Sequence, residues 1–323
     1  MGNDVSRRTF IGGAVAGVVA ASKAKGADSV QTRPFGRTGI RVPIIGMGCG
    51  ISWYGDSPSE EHALEALNLA IDLGITYLDT GQTYGRGRSE TWMGKVLKTR
   101  RKEVLVSTKI STRDPDEARR ETDRCLERLE TDHLDVIHIH SLGTEEDLAT
   151  IEKKGGLLEA LYKLRDEKIT RCAGITCHLH PPVLKMALER HDFDCTQMAL
   201  NAAQQGHYEG YTSRPGNSFE GIAMPVAVQK GMAVIAMKVT GKNELVGVQP
   251  TMAEGQDLIR YALSLPVSHA VIGLTKLEHI RQNAELARTF QPMSQNEMKT
   301  FSARMTAVHK ASLDRFFLHH QDV

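Results

Sequence analysis

Four side chains that can donate, accept or stabilise a proton lie at the ends of short apolar runs or just after them. Asp79, Lys109 and His140 each end a different run, and Tyr84 lies in the loop that follows Asp79. If the three runs are neighbouring strands of one sheet, a carboxylate, an ammonium, an imidazole and a phenol meet at one edge of it. Such a combination of groups is typical of acid–base catalysis.

Tyr84 is the candidate proton donor of this group. A free phenol has a pKa of about 10, too high for efficient proton transfer at neutral pH, and a neighbouring cation lowers that pKa because it stabilises the phenolate. Lys109 can supply the cation, and Asp79 can hold the ammonium in place. His140 can hydrogen-bond a substrate carbonyl and fix its direction. The residues therefore predict protonation of a carbonyl oxygen as negative charge develops on it.

Strand-length apolar runs alternate with amphipathic helical patterns along the chain. There are eight such runs, at residues 44–48, 75–79, 104–109, 136–140, 172–176, 195–200, 233–237 and 270–274. Apolar strands separated by amphipathic helices are typical of a parallel sheet covered on its outer face, and eight units predict closure into a (β/α)8 TIM barrel. An open doubly wound sheet is the alternative, weakened by the absence of GxGxxG between an early strand and helix.

Two additions to the barrel and one helix start can also be predicted. Residues 33–41 predict an N-terminal β-hairpin, with Gly36 and Gly39 supplying the turn geometry. The sequence Ser-Pro-Ser-Glu at 57–60 predicts a helix start with proline at the first helical position. We also expect an extra helix at the C-terminal end of the barrel.

In a (β/α)8 barrel the chemistry takes place at the C-terminal ends of the strands. Because side chains alternate along a strand, Ser107 and Lys109 share one face, and His138 and His140 share another. If both faces point inward, the candidate residues converge at one mouth of the barrel. We expect His138 to be a buried interior histidine rather than a catalyst. For Asp79 and Lys109, the alternative to a catalytic role is a purely structural ion pair at the barrel rim.

The first 27 residues predict an export signal. Paired arginines at positions 7 and 8 precede an apolar run at 11–21, and the sequence Ser-Lys-Ala-Lys-Gly-Ala at 22–27 follows, with small residues at a possible cleavage point. This order is typical of a signal peptide, and the arginine pair resembles a twin-arginine signal. The alternative is a frayed N-terminus with an incidental apolar patch. We expect a signal at 1–27, a barrel domain at 28–323, and a protein exported to the periplasm or cell exterior, or a cytoplasmic one if the signal is not used.

The composition excludes several classes of protein. Forty Lys and Arg residues against 39 Asp and Glu leave a formal charge of +1, which gives no basis for binding nucleic acid or, beyond the signal segment, a membrane. Hydrophobic residues make up 41% of the chain and charged residues 24%, as in a globular protein with a sizeable core. Five cysteines without a CxxC pair argue against a disulfide scaffold or a zinc ribbon and predict buried, reduced thiols.

In three ordered segments the sequence resembles the aldo-keto reductase superfamily: YLDTGQTYG at 77–85, STK at 107–109 and LDVIHIH at 134–140. The similarity extends from the hairpin to Asn283. It implies a (β/α)8 barrel and an extended nicotinamide cofactor, usually NADPH, which passes hydride to an aldehyde or ketone. It also implies that Asp79, Tyr84, Lys109 and His140 are the catalytic tetrad, with Tyr84 as general acid.

The same resemblance implies the contacts at the nicotinamide end of the cofactor. The family's fifth strand commonly ends in Gly-x-Ser-Asn, and here Thr176 and Cys177 occupy the last two positions, although a thiol replaces an amide poorly. Gln197 matches a glutamine that binds the cofactor carboxamide. Met237 stands where an aromatic residue normally stacks on the ring, and a thioether can also pack there. Lys238 follows it, and we expect it to reach the pyrophosphate.

The adenosine end is implied by the segment that follows the eighth strand. Thr275 and His279 fall at polar contact positions, Lys276 supplies nearby charge, and Asn283 closes the segment. No arginine stands at the usual position of a clamp for the 2′-phosphate. The family resemblance implies NADPH as the cofactor, and the missing arginine keeps NADH as the alternative.

The sequence leaves the substrate open beyond a small-molecule carbonyl compound. Trp53 and Tyr54 follow the first strand and are candidates for the wall of a substrate pocket, or for simple loop packing. The loop at 207–221 is a candidate for substrate selection, because specificity in this fold lies in variable loops.

Two other functions compete with carbonyl reduction. His138 and His140, with His178 and His180 after the next strand, could bind zinc in a metal-dependent hydrolase. That interpretation lacks an acidic ligand late in the barrel and gives Tyr84 no role, so we expect no metal. The second competitor is a dinucleotide-binding sensor or partner subunit with slow turnover, suggested by the altered nicotinamide contacts.

Overall fold

Eight parallel strands form a closed barrel in the computed structural model, which describes residues 29–206 and 217–318. The predicted (β/α)8 TIM barrel is therefore confirmed. The predicted export signal and residues 207–216 of the predicted substrate loop lie outside the described residues.

A β-hairpin precedes the barrel, as the sequence predicts. Its strands, β1 (Thr32–Pro34) and β2 (Arg41–Pro43), pair antiparallel. Gly36 has φ +53°, and a Cβ there would lie 2.4 Å from the backbone nitrogen of Ala233, so only glycine fits this approach. The adjacent Phe35 is fully buried in the barrel interior, beside Tyr77, and the hairpin thus covers the N-terminal end of the barrel.

The barrel strands begin and end within two residues of the predicted apolar runs. They are β3 (Ile45–Gly48), β4 (Tyr77–Asp79), β5 (Leu105–Ile110), β6 (Leu134–Ile139), β7 (Thr170–Cys177), β8 (Cys195–Ala199), β9 (Ala233–Met237) and β10 (His269–Gly273). Each strand pairs with the next in the chain, and pairing of Ala270 with Ile45 closes the ring between β10 and β3.

Helices follow the strands and cover the outside of the barrel. They are α1 (Ile51–Tyr54), α2 (Glu60–Asp72), α3 (Arg88–Arg100), α4 (Pro115–Arg128), α5 (Glu145–Ile151), α6 (Leu157–Asp166), α7 (Pro181–Arg190), α8 (Phe219–Ile222), α9 (Met224–Gln229), α10 (Gly255–Ser264), α11 (Leu277–Thr289) and α12 (Gln295–Leu318). Two short 3₁₀ turns span Tyr84–Gly87 and Arg101–Glu103. Helix α12 is the predicted C-terminal extra helix.

Apolar side chains form two layers separated by the strands. The larger layer lies between the strands and the helices, and the smaller one fills the barrel interior. The interior layer also contains buried polar groups, among them His138 and His269. Along each strand, alternate residues therefore serve different layers, which decides what each side chain can reach.

All five cysteines are buried free thiols, as the sequence predicts. Burial raises the pKa of Cys172 and of Cys177 to about 12, so these groups stay protonated at neutral pH.

Among the helices that the structure describes, none combines the length and apolar character that a membrane span requires.

Candidate active site

The ends of β4 and β5 bring the predicted carboxylate and ammonium into contact. Asp79 pairs with Ser107 in the sheet, and Lys109 lies two residues further along the same face of β5. The Lys109 Nζ donates a hydrogen bond of 2.6 Å to Asp79 Oδ2 and another to the carbonyl of Thr80. Both charged side chains are buried, so each stabilises the other in a region that excludes water.

Tyr84 lies beside this pair because the chain turns sharply after β4. Its backbone nitrogen donates to the carbonyl of Gly81, and the 3₁₀ turn starts at Tyr84. The Lys109 Nζ is 4.9 Å from the centroid of the Tyr84 ring. The His140 ring centroid is 5.8 Å from that of Tyr84, with the rings at 73°. The structure thus brings all four predicted tetrad residues together.

His140 is held by groups that the sequence analysis missed. Ser111 Oγ lies 3.1 Å from His140 Nδ1, and Arg113 donates to the His140 carbonyl over 2.9 Å. Arg113 is itself fixed by an ion pair with Asp147 at 2.7 Å. A signal for Ser111 was available, because it lies two residues after Lys109, just past the end of β5, where the alternation of side chains along the strand predicts the same direction. Nothing in the local sequence indicated Arg113 or Asp147.

The other histidines near the tetrad do not form a metal site. Within the described ranges, no group of three or more His, Cys, Asp and Glu side chains could hold a metal ion. His138 is fully buried in the barrel interior, and burial, followed by the charge of Lys109, lowers its pKa well below the usual range. His178 lies at the site, with its ring centroid 6.1 Å from that of His140. His180 immediately precedes α7.

A cavity of about 850 Å³ opens beside the tetrad at the C-terminal ends of the strands. Eight of the predicted site residues line it: Asp79, Tyr84, Gln197, Met237, Lys238, Thr275, Lys276 and His279. Gly50 also lines it, and a Cβ there would lie 3.6 Å from the Tyr84 ring. Glycine thus keeps space open next to the phenol.

Near Asp79 this cavity offers groups that fit an amide. The Gln197 Nε2 donates to Asp79 Oδ2 over 3.3 Å, while its Oε1 is buried without a hydrogen-bond partner among the described residues. Such an acceptor suits a carboxamide NH₂. Met237 forms part of the wall. Thr176 faces the barrel interior, where its Oγ1 accepts from the backbone nitrogen of Ser141 over 2.8 Å.

Basic side chains also line this cavity. They are Lys238, Lys276 and His279, together with Lys242, which the sequence analysis missed. Lysine ammonium groups around an open cavity suit phosphate oxygens, so the cavity fits the phosphates of a dinucleotide. The Thr275 hydroxyl donates to the carbonyl of Ser52.

The contact of Thr275 with Ser52 is one of two that hold the segment after β10. His62 Nε2 lies 3.0 Å from the Thr275 carbonyl. These contacts tie the segment to the region between β3 and α2, and both Ser52 and His62 line the cavity. Asn283 does not reach the cavity, because on α11 its Oδ1 accepts from Gln256 Nε2 over 2.7 Å.

Three other predicted site residues lie away from the cavity wall. Cys177 packs with the layer outside the barrel, because it alternates with the inward-facing Thr176, and its Sγ donates to the carbonyl of Leu142. Trp53 is fully buried, and its Nε1 donates to the Ala63 carbonyl over 2.9 Å. Tyr54 is buried against Gly85, where an added Cβ would lie 2.8 Å from the Tyr54 ring. The structure therefore places both aromatic residues in loop packing.

The chain belongs to the aldo/keto reductase family, whose sequence model matches residues 45–257. The uncharacterised oxidoreductase YqkF of Bacillus subtilis is 26% identical over 308 residues, which cover 85% of this chain and 96% of that protein. The prediction of an oxidoreductase that acts on carbonyl groups is confirmed by this membership.

Solved structures share the fold. An aldo-keto reductase from Bacillus halodurans in its holo form has a TM-score of 0.67 at 22% identity, covering 85% of this chain and 96% of that one. An aldo-keto reductase from Klebsiella pneumoniae in complex with NADPH has a TM-score of 0.68 at 23% identity, covering 86% and 95%.

Proposed function

We propose that this protein reduces an aldehyde or ketone to an alcohol with NADPH, and that Tyr84 supplies the proton. One observation carries the proposal. The buried Lys109 ammonium, paired with Asp79, lies 4.9 Å from the centroid of the Tyr84 ring at the wall of a large cavity. A phenol beside a fixed cation is a group that can release a proton to an oxygen on which negative charge develops.

Each of the four tetrad residues has a different role in the reduction of the substrate carbonyl. When bound, NADPH supplies a hydride from its nicotinamide ring to the carbonyl carbon. The Tyr84 hydroxyl gives its proton to the oxygen, and the Lys109 ammonium stabilises the phenolate that remains. Asp79 keeps that ammonium in position through its 2.6 Å hydrogen bond. His140 donates to the carbonyl oxygen and so directs the carbon toward the hydride donor.

The choice of NADPH rests on the lysine side chains that line the cavity and on the NADPH complex of the Klebsiella pneumoniae aldo-keto reductase. Isothermal titration of the purified chain with NADPH, and separately with NADH, tests it. We expect one site per chain and tighter binding of NADPH. Tighter binding of NADH would overturn the cofactor choice and leave the reaction class in place.

Steady-state oxidation of NADPH at 340 nm with a reactive aldehyde tests the activity itself. We expect turnover that depends on aldehyde concentration. The alternative function, a dinucleotide-binding sensor with slow turnover, predicts that the parent chain binds NADPH tightly but oxidises it no faster than the Tyr84→Phe variant does.

We further propose that residues 1–27 direct export by the twin-arginine route. The support is the arginine pair at positions 7 and 8, followed by the uncharged run at 11–21. Fusion of residues 1–27 to a reporter that is active only after export tests this. We expect export that is lost when both arginines are changed to lysine. Equal export of the two fusions, or none of either, would overturn it.

A further inference from the structure

Two buried carboxamides join the chain segments that flank the cavity. Asn201 follows β8, and its Nδ2 donates to the carbonyl of Lys238 over 3.2 Å and to Gln205 Oε1 over 3.0 Å. The Gln205 Nε2 donates in turn to the carbonyl of His178 over 2.9 Å. Both amide side chains are at most 1% exposed. They therefore connect the segment after β9 with the segment after β7.

The contact with Lys238 falls where the β8–β9 ladder ends. The last backbone bond runs from the Leu200 nitrogen to the Met237 carbonyl over 3.1 Å, and the Asn201 side chain supplies the next connection. Lys238 has φ +54°, a left-handed conformation that costs free energy for any residue except glycine. The nitrogen of Gly241 also donates to the Lys238 carbonyl, over 2.8 Å. These two donors fix the strained peptide of Lys238, a residue that lines the cavity and whose Nζ lies 5.9 Å from the centroid of the Phe317 ring on helix α12.

The segment that carries these amides is anchored by helix α12. Lys310 and Asp314 form a buried ion pair at 3.0 Å on one face of this helix. The Lys310 Nζ donates to the carbonyls of Gln204 and Gly206, and Asp314 Oδ1 accepts from the Gly206 nitrogen over 2.9 Å. These contacts of the buried ion pair tie the 204–206 segment to helix α12.

We propose that Asn201 is a positioning residue for cofactor binding. By holding the Lys238 carbonyl, Asn201 fixes the backbone of this cavity-lining lysine, whose ammonium we assign to the cofactor phosphates, and Gln205 ties this arrangement to the segment of His178 beside His140. This inference rests on the proposed function, because it assigns the phosphates of NADPH to Lys238. The carboxamide itself touches neither cofactor nor substrate.

The test is a double-mutant cycle between Asn201 and Lys238, read out as the NADPH dissociation constant by calorimetry. Asn201→Asp keeps the shape of the side chain but points an oxygen at the Lys238 carbonyl. We expect NADPH binding to weaken by about tenfold in the parent background. We expect no further weakening in Lys238→Ala, because the ammonium that Asn201 positions is gone. Equal weakening in both backgrounds, or none in the parent, overturns the proposal.

Two further variants separate positioning from general loss of structure. Asn68→Asp, on the outer helix α2, is the matched control and should leave NADPH binding unchanged. Asn201→Ser is the variant to use if Asn201→Asp does not fold. It should show a smaller loss that again disappears in Lys238→Ala, and a loss that persists there counts against the proposal. If the parent chain itself does not bind NADPH, the proposed function fails and this inference fails with it.

Discussion

At the scale of single residues, the site depends on a full charge held away from water. Lys109 is fully buried, and Asp79 is the carboxylate with which it forms an ion pair. Removal of one partner of such a pair leaves the other charge uncompensated, which costs more free energy than removal of both. Single and double substitutions at these two positions can therefore distinguish an effect on the free energy of unfolding from an effect on catalysis.

We expect Lys109→Met to abolish carbonyl reduction and to lower the free energy of unfolding by about 3–5 kcal/mol. The double variant Asp79→Asn with Lys109→Met should regain much of that stability but no activity. Urea denaturation and NADPH oxidation measure the two properties on the same preparations. Recovery of activity in the double variant would show that Lys109 has no part in the chemistry.

Ser111 is expected to matter for the carbonyl and not for the cofactor. Its Oγ lies 3.1 Å from His140 Nδ1, so Ser111→Ala removes one hydrogen bond that orients the imidazole. We expect kcat/KM for the aldehyde to fall by about threefold to tenfold, with an unchanged dissociation constant for NADPH. A change in the NADPH constant of similar size would contradict this role.

At the scale of secondary structure, the strands were predictable and the direction of some side chains was not. Apolar runs located all eight strands because parallel strands buried on both faces are apolar throughout. In a strand that is apolar throughout, however, the sequence does not show which residues point into the barrel and which point outward. For this reason the sequence analysis placed Cys177 at the nicotinamide, although its side chain packs outside the barrel. Trp53 and Tyr54 fell on the short helix α1, which no pattern indicated.

Helix starts were predictable to within a turn. The sequence at 57–60 predicts proline at the first helical position, whereas α2 starts at Glu60 and its cap is Ser59, whose side chain accepts from the His62 nitrogen. Pro58 therefore lies before the helix.

The tetrad was predictable because the ends of the strands converge in a barrel. The ion pair of Arg113 and Asp147 was not predictable, because these two residues meet only in the folded chain.

The hairpin is expected to contribute stability without contributing to catalysis. Phe35 fills the N-terminal end of the barrel, opposite the tetrad. We expect Phe35→Ala to lower the free energy of unfolding by about 3–5 kcal/mol and to leave kcat within twofold of the parent. Ile40→Ala, at a partly buried residue beside the same cluster, is the matched control and should cost less. A large loss of kcat in folded Phe35→Ala would contradict this separation.

At the scale of the whole molecule, the buried histidines make stability depend on pH. Burial lowers the pKa of His269 to about 3, and burial also lowers the pKa of His138. Between pH 3 and 6.5 the unfolded chain binds a proton at His269 that the folded chain does not bind. The stabilisation is therefore complete above about pH 6.5 and is lost progressively as the pH falls toward 3.

We expect the free energy of unfolding to drop by about 2 kcal/mol from pH 7.5 to pH 5 through His269 alone. Urea denaturation at the two pH values measures this. His269→Gln cannot titrate in this range and should show a flatter dependence. A parent chain equally stable at both pH values would contradict the neutral, buried state of these imidazoles.

The central claim, that Tyr84 gives the proton, is tested most directly by a single turnover. The parent and Tyr84→Phe, each in molar excess over NADPH and at a concentration that binds all of it, are mixed rapidly with saturating aldehyde, so that each NADPH reacts once and differences in cofactor binding do not contribute to the measured rate. We predict that loss of NADPH absorbance at 340 nm is slower in Tyr84→Phe by about 100- to 10,000-fold. An equal single-turnover rate in the two proteins would contradict the account.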